Sequence, residues 1–173
     1  MPTSATIAPI RRFRALAGAL ISALVIIGIA VAAVLGHPKA GAAADHSASG
    51  WVYAVIVVLG VGAAGIVQAV GYQVPALSPG LDESEARRSG LQTYQQTMFL
   101  RFAISETVAI IALALTFSQN SSSVLPYVLA AAISMALMAY HVWPSDSLIE
   151  RVQARLDRNG GRSRLADVMY GRL

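Results

Sequence analysis

Residues 98–117 read MFLRFAISETVAIIALALTF, an apolar segment that contains two charged residues, Arg101 and Glu106. A helix needs about 20 residues to cross the hydrocarbon core of a bilayer, so this segment is long enough to span a membrane. An acid inside a span is costly unless it faces neighbouring helices, and it therefore marks a candidate functional residue. The segment predicts a transmembrane helix and makes Glu106 the candidate for binding a proton or an ion.

Three further segments share this length and apolar character, at residues 15–35, 51–72 and 124–143. The chain is 55% hydrophobic and 13% charged, whereas soluble domains carry about a quarter charged residues. The first segment exceeds the ~7–15 residues of a signal-peptide core, so we expect a retained anchor. The sequence thus predicts an all-α, polytopic membrane protein with four transmembrane helices, at about 15–35, 51–72, 98–117 and 124–143.

The basic residues predict how these spans are oriented. Arginines lie before the first span at residues 11–14, in the second loop at Arg87 and Arg88, and in the tail after Trp143, which holds six. The first loop has only Lys39, and the third loop has no charge. Because cytoplasmic loops carry the excess of arginine and lysine, the sequence predicts a multi-pass protein of the cell membrane with both termini in the cytoplasm.

The second loop and the tail carry further helical signals. Acids at residues 82–85 precede Arg87 and Arg88, which suits a helix that begins near Asp82 and runs into the third span. A solvated connector is the alternative for this loop. We expect two domains, a four-helix transmembrane domain over 1–144 and a basic cytoplasmic tail over 145–173.

The tail is predicted to begin with an amphipathic cytoplasmic helix. Ser147 and Glu150 have the spacing of a capping box, and a break at Asn159-Gly160-Gly161 is followed by a short turn over 163–170. The apolar face of this helix carries Leu148, Val152 and Leu156. The basic residues on the rest of the helix, Arg151, Arg155 and Arg158, predict that it binds anionic lipid or a partner protein.

Placing each span's midpoint at the bilayer centre predicts two polar layers. The central layer contains Glu106 and Ser134, and a layer nearer the cytoplasm contains Gln68, Arg101, Tyr140 and His141. We expect Arg101 to extend its side chain to the cytoplasmic interface. Glycines in the second span predict a surface for close helix packing, at Gly60, Gly62, Gly65 and Gly71.

Residues 57–117 resemble the helical hairpin of the rotary ATP synthase c subunit. The similarity is carried by Gly60-Val61-Gly62-Ala63-Ala64-Gly65 and by the helix Met98 to Glu106, although the connecting loop is longer than the short polar turn of that family. In that family the mid-membrane carboxylate carries the translocated proton. The resemblance therefore implies this role for Glu106.

Several chemistries are excluded or disfavoured by the residues present. The absence of cysteine excludes disulfides, thiolate metal sites and a cysteine nucleophile. The only lysine, Lys39, lies in the outer loop, so a buried Schiff base is not expected. His37 and His46 are predicted outside and His141 near the inner face, so one chain cannot supply paired haem ligands. We expect no cofactor, no metal and no nucleic-acid partner.

Three functions remain open at the level of sequence. The first is a non-enzymatic subunit or scaffold of a membrane complex, which associates with other membrane subunits or with itself; we favour it because of the small-residue surface. The second is a proton- or ion-handling protein centred on Glu106. The third is a small transporter or membrane enzyme for a hydrophobic substrate, which requires a pocket bordered by Glu106, Ser134 and His141.

Overall fold

The computed structural model describes residues 8–35, 48–119 and 123–172, and within these ranges all regular structure is helical. Lys39, His37 and His46, which the sequence places in the first loop, lie outside the described residues. The helices are α1 (Pro9–Leu35), α2 (Gly50–Val70), α3 (Glu83–Ser118), α4 (Leu125–His141), α5 (Asp146–Leu156) and α6 (Leu165–Tyr170).

Three of these helices, α1, α2 and α3, are long and apolar enough to cross a membrane. Helix α4 has 17 residues, a length of about 26 Å, and it qualifies as a span together with α5, from which a bend of 60° separates it. The described part of the chain therefore contains three helices that could span a membrane, or up to four if the bent pair is one span.

Helix α3 is continuous from the second loop into the third apolar segment. Its N-cap is Asp82, whose carboxylate accepts a hydrogen bond from the backbone N–H of Ser84 at 3.2 Å. The helix has 36 residues and is about 54 Å long, so about 24 Å extends beyond a hydrocarbon core of about 30 Å. The predicted continuous helix is confirmed, and the alternative of a solvated connector is wrong.

The interior of the bundle lies between α2, α3 and α4, and α1 packs mainly against α4. One close approach is at Gly60 of α2, where an added Cβ would lie 2.7 Å from Cγ2 of Ile133 in α4. Helix α1 is held by the Tyr127 hydroxyl, which donates a hydrogen bond to the carbonyl oxygen of Leu24 at 2.9 Å. Helix α1 therefore packs on the periphery of the bundle formed by α2, α3 and α4.

The N-terminus of α1, the connection from α2 to α3 and the pair α5–α6 meet at one end of the bundle, which we call the basic end. The Phe13 ring packs edge-on against Tyr94 of α3 at 5.3 Å, and α1 also contacts α6. The backbone N–H of Leu77 donates to the carbonyl oxygen of Leu156 at 2.8 Å. The arginine-rich segments therefore share one end, as predicted, and the side of the membrane that this end faces stays a prediction.

Helix α5 packs its apolar residues inside the chain. It begins at Asp146 after Ser145, and Ser147 lies within the helix, so the predicted capping box is wrong. The chain turns after α5 at residues 157–161, and α6 follows, as the sequence predicted. The side chains of α5 that are buried in the protein are Leu148, Ile149, Val152 and Leu156.

Candidate functional site

Arg101 is a charged residue whose side chain is buried without a hydrogen-bond partner among the described residues. Its side chain is completely buried on α3, with 0% exposure, and none of its three guanidinium nitrogens makes a hydrogen bond. This contradicts the expectation that Arg101 reaches out to the membrane interface. The arginine chain passes against Gly71, where an added Cβ would lie 2.7 Å from its Cγ atom. Glycine at this position therefore leaves room for the buried side chain.

Two tyrosine rings surround the guanidinium of Arg101. Its carbon atom lies 4.9 Å from the ring centroid of Tyr72 and 5.9 Å from that of Tyr94. No guanidinium nitrogen of Arg101 lies in hydrogen-bond geometry with either tyrosine hydroxyl group. Cation–π contacts of this kind contribute about 0.5–2 kcal/mol each, and they leave the N–H donors of the guanidinium unsatisfied.

Tyr72 connects Arg101 to two other helices, α4 and α5. Its hydroxyl group is hydrogen-bonded to Nδ1 of His141, at the end of α4, at 2.8 Å. The guanidinium of Arg151, on α5, lies 5.1 Å from the centroid of the same ring. Nη1 of Arg155 donates a hydrogen bond to the Tyr72 carbonyl oxygen at 2.7 Å. Helix α5 therefore covers Tyr72, which itself covers Arg101.

We call this group the Arg101 cluster, and it has an excess of positive charge. The ion pairs in the described part of the chain join Glu83 to Arg87 and Arg164, and none involves the cluster. A buried charge without a partner carries a desolvation penalty of several kcal/mol. The arrangement is therefore suited to an anion. The members of the cluster are Tyr72, Tyr94, Arg101, His141, Arg151 and Arg155.

If α3 crosses a membrane with its C-terminal end at one boundary of the hydrocarbon core, the position of Arg101 places the cluster near the other boundary. Arg101 lies 17 residues before Ser118, at which the helix ends, a distance of about 26 Å along the axis. The hydrocarbon core is about 30 Å thick, so Arg101 lies close to the level where hydrocarbon meets the headgroups. The boundary concerned is the one at the basic end.

The residues predicted for the layer around Arg101 separate into two groups. Arg101 and His141 are brought together through Tyr72. Gln68 and Tyr140, by contrast, are exposed on the outside of the bundle, although the Tyr140 ring packs edge-on against His141 at 4.8 Å. Depth along a helix could be estimated from the sequence, but Gln68 follows the buried Val67 and so points about 100° away from it. These two residues therefore do not line the interior of the bundle beside Arg101, and their shared depth stays a prediction.

Glu106 lies apart from the Arg101 cluster. It is half-buried on α3 and, among the described residues, it makes no hydrogen bond or ion pair. The Tyr127 hydroxyl group donates its hydrogen bond to α1 and not to Glu106. Ser134 is fully buried, and its hydroxyl group has no hydrogen-bond partner. No hydrogen bond in the described part of the chain joins the two members of the predicted central layer.

The four glycines predicted to form a packing surface also divide into two pairs. Gly60 meets Ile133, and Gly71 meets Arg101, both at less than an ordinary contact distance for an added Cβ. Gly62 and Gly65 are exposed and have no side chain within 4 Å of an added Cβ. Close packing within this chain therefore occurs at Gly60 and Gly71, while the packing predicted at the other two glycines stays a prediction.

Exposed charged pairs connect the helices at the basic end. Glu83 accepts a hydrogen bond from Arg87 and pairs with Arg164 at 2.9 Å, which joins the start of α3 to the segment before α6. Arg87 holds the pKa of Glu83 below its ordinary value. The Tyr170 hydroxyl donates to Asp146 and thereby joins α6 to α5; this bond raises the pKa of Tyr170. Such exposed contacts stabilise the fold only modestly.

Tyr72 and Tyr94 are the members of the cluster that sequence reasoning missed. The available signal was Tyr72 directly after Gly71, at the end of a span and at about the predicted depth of Arg101. No three side chains of the metal-binding types His, Cys, Asp and Glu converge in the described residues. No family model, curated protein or solved structure matches the chain. The assignment of function therefore depends on the chain's own residues.

Proposed function

We propose that this protein is a non-enzymatic subunit or scaffold of a membrane complex and that α5–α6 forms its docking platform. The supporting observation is that the apolar side chains of α5 are buried within the chain, so the pair presents a polar, charged surface at the basic end. The exposed charged side chains of this platform include Glu150, Arg151, Arg158, Arg162 and Arg172.

The platform is held in place by hydrogen bonds within itself and to the bundle. The Gln153 side chain accepts from the backbone N–H of Ala166, and Asp157 accepts from that of Ser163, both at 2.8 Å. The Leu77–Leu156 backbone bond ties the end of α5 to the α2–α3 connection. A surface that is already ordered loses less entropy on binding than a flexible tail does, which favours recognition of a partner.

The experiment is co-purification of the full chain from its native membrane in a mild detergent. We expect the chain to elute with a membrane protein partner, and we expect charge reversal at the platform, Arg158→Glu with Arg162→Glu, to reduce partner recovery about tenfold. The matched control, Arg11→Glu with Arg12→Glu, makes the same change in charge on α1 and should retain the partner. Elution of the unmodified chain alone, under conditions that preserve other complexes, would contradict the proposal.

Proton or ion handling at Glu106 is the second candidate. It is supported by a half-buried carboxylate inside an apolar span that has no hydrogen bond or ion pair among the described residues. A carbodiimide should label Glu106 in a pH-dependent way, and Glu106→Gln should abolish both this labelling and any proton flux in vesicles. Glu85→Gln, which changes an exposed acid on the same helix, is the control. Equal labelling and equal flux in both variants would exclude this candidate.

A further inference from the structure

We propose that Arg101 is the anchor of a closed binding site for a phosphate-bearing anion at the membrane boundary of the basic end. This inference concerns the Arg101 cluster and is independent of partner docking through α5–α6. The site is made by α3, which supplies Arg101, and by α5, which supplies Arg151 and Arg155 above the Tyr72 ring.

The state of the Arg101 guanidinium points to an anionic ligand. The side chain is fully buried, and its nitrogen atoms have no hydrogen-bond partner, although a guanidinium presents five N–H donors in a planar fork. Phosphate oxygens match this fork and accept two parallel hydrogen bonds from it. The faces of the two tyrosine rings attract the positive charge, but no N–H group of Arg101 donates a hydrogen bond to either tyrosine. A phosphate group would supply both the missing charge and the missing acceptors.

Tyr72 and α5 close the site in this state. The Tyr72 ring lies between the two helices that carry Arg101 and Arg151, and the Arg155 bond to the Tyr72 carbonyl holds α5 over it. Helix α5 is also held by its buried apolar side chains and by the Leu77–Leu156 backbone bond, so Arg101 is closed off from solvent in this state. An entering anion would meet the two arginines of α5 first and Arg101 behind them.

The depth of Arg101 makes a membrane phospholipid the natural source of this phosphate. Arg101 lies about 26 Å from the far end of α3, close to the level of the headgroups at the basic end. Anionic lipids concentrate on the cytoplasmic leaflet, the side to which the arginines assign this end. Free inorganic phosphate shares the same chemistry and is the second source to be tested.

The test uses the full chain in lipid nanodiscs made of phosphatidylcholine alone or with one fifth phosphatidylglycerol. The thermal unfolding midpoint is measured in both, and in the phosphatidylcholine discs with and without inorganic phosphate. We expect phosphatidylglycerol to raise the midpoint, because a ligand that binds only the folded state stabilises it. Native mass spectrometry of the same samples measures how much phosphatidylglycerol stays bound.

Three variants make the test specific to Arg101. Arg101→Gln should weaken retention of phosphatidylglycerol about tenfold or more and remove its effect on the midpoint. Arg101→Lys keeps the positive charge but lacks the planar guanidinium, so its retention of phosphatidylglycerol should lie between that of the unmodified chain and that of Arg101→Gln. It serves as the main variant if Arg101→Gln does not fold. Arg88→Gln removes an exposed arginine from the same helix and should behave like the unmodified chain.

The outcomes separate the two sources and the alternative of a purely structural arginine. A response to phosphatidylglycerol that depends on Arg101 supports a lipid site, and a response to inorganic phosphate that depends on Arg101 supports a site for soluble phosphate. The proposal is overturned if neither anion changes the midpoint, or if Arg88→Gln reduces the response as much as the Arg101 variants do. Partner co-purification can fail or succeed in either case, so the two proposals are tested separately.

Discussion

Replacing Gly60 with alanine should destabilise the contact between α2 and α4, whereas the same change at Gly62 should not. The added Cβ at Gly60 would lie 2.7 Å from Cγ2 and 3.6 Å from Cδ1 of Ile133. Carbon atoms pack best at about 3.5–4.0 Å, so Ile133 would have to move by about 1 Å. At Gly62 the added Cβ would meet no atom within 4 Å.

The expected difference in stability between Gly60→Ala and Gly62→Ala follows from two contributions, one of which is the same in both variants. Alanine improves helix propensity by up to about 1 kcal/mol at either position. At Gly60 the overpacking costs about 1–3 kcal/mol, because isoleucine is β-branched and its χ1 angle has one strongly preferred value in a helix. Gly60→Ala should therefore be about 1–3 kcal/mol less stable than Gly62→Ala, whatever the exact propensity gain in a membrane.

The assay is unfolding of each variant in mixed micelles with increasing SDS, followed by circular dichroism and by the fluorescence of Trp51 and Trp143. Both variants differ from the unmodified chain by the same methyl group on the same helix, so the comparison isolates the Ile133 contact. If the two variants unfold at the same SDS fraction, or if Gly62→Ala is the less stable, then α2 does not present Gly60 to α4 and the packing described above is wrong.

Three further predictions concern hydrogen bonds and charged pairs outside the α2–α4 contact. Tyr127→Phe removes the hydroxyl that holds α1 and should cost about 1 kcal/mol in the same unfolding titration; an unchanged midpoint would contradict this. Because Arg87 lowers the pKa of Glu83, their contact persists above the ordinary carboxyl pKa and is lost as the pH falls through the lowered value. Hydrogen exchange at the start of α3 should rise in that acidic window, and Glu83→Gln should remove the pH dependence. The pKa of Tyr170 is raised by its bond to Asp146, so this contact is present below the ordinary tyrosine pKa of about 10 and is lost as the pH rises towards and through the raised value. Asp146→Asn should shift the ultraviolet titration of this tyrosine to lower pH, and an unshifted curve would exclude the contact.

The sequence predicted the features that depend on composition along the chain. Apolar length and the low share of charge identified the helices that could span a membrane, because the bilayer core sets the number of residues that a span needs. The order of acids and bases after Asp82 identified the start of α3, because the N-terminal end of a helix favours acidic side chains and disfavours basic ones. The spacing of arginine-rich segments predicted which ends of the helices lie together, and the structure places them at one end.

What the sequence could not supply was the direction in which each side chain points around its helix. Arg101 and Gln68 were assigned to one layer by depth, yet Arg101 is buried against Gly71 while Gln68 is exposed. Glu106 and Ser134 were matched in the same way and remain unconnected by any hydrogen bond in the described residues. Each residue turns a helix by about 100°, so one position separates an interior side chain from an outward one.

The Arg101 cluster was decided only by tertiary structure. Its residues come from the end of α2, the middle of α3, the end of α4 and the face of α5, and they are separated by up to 83 positions in the chain. Hydropathy along the sequence registers Arg101 as an isolated charge that should avoid the bilayer interior. Helix packing instead encloses it between tyrosine rings, because the glycine at position 71 lets its side chain pass and α5 folds back over Tyr72.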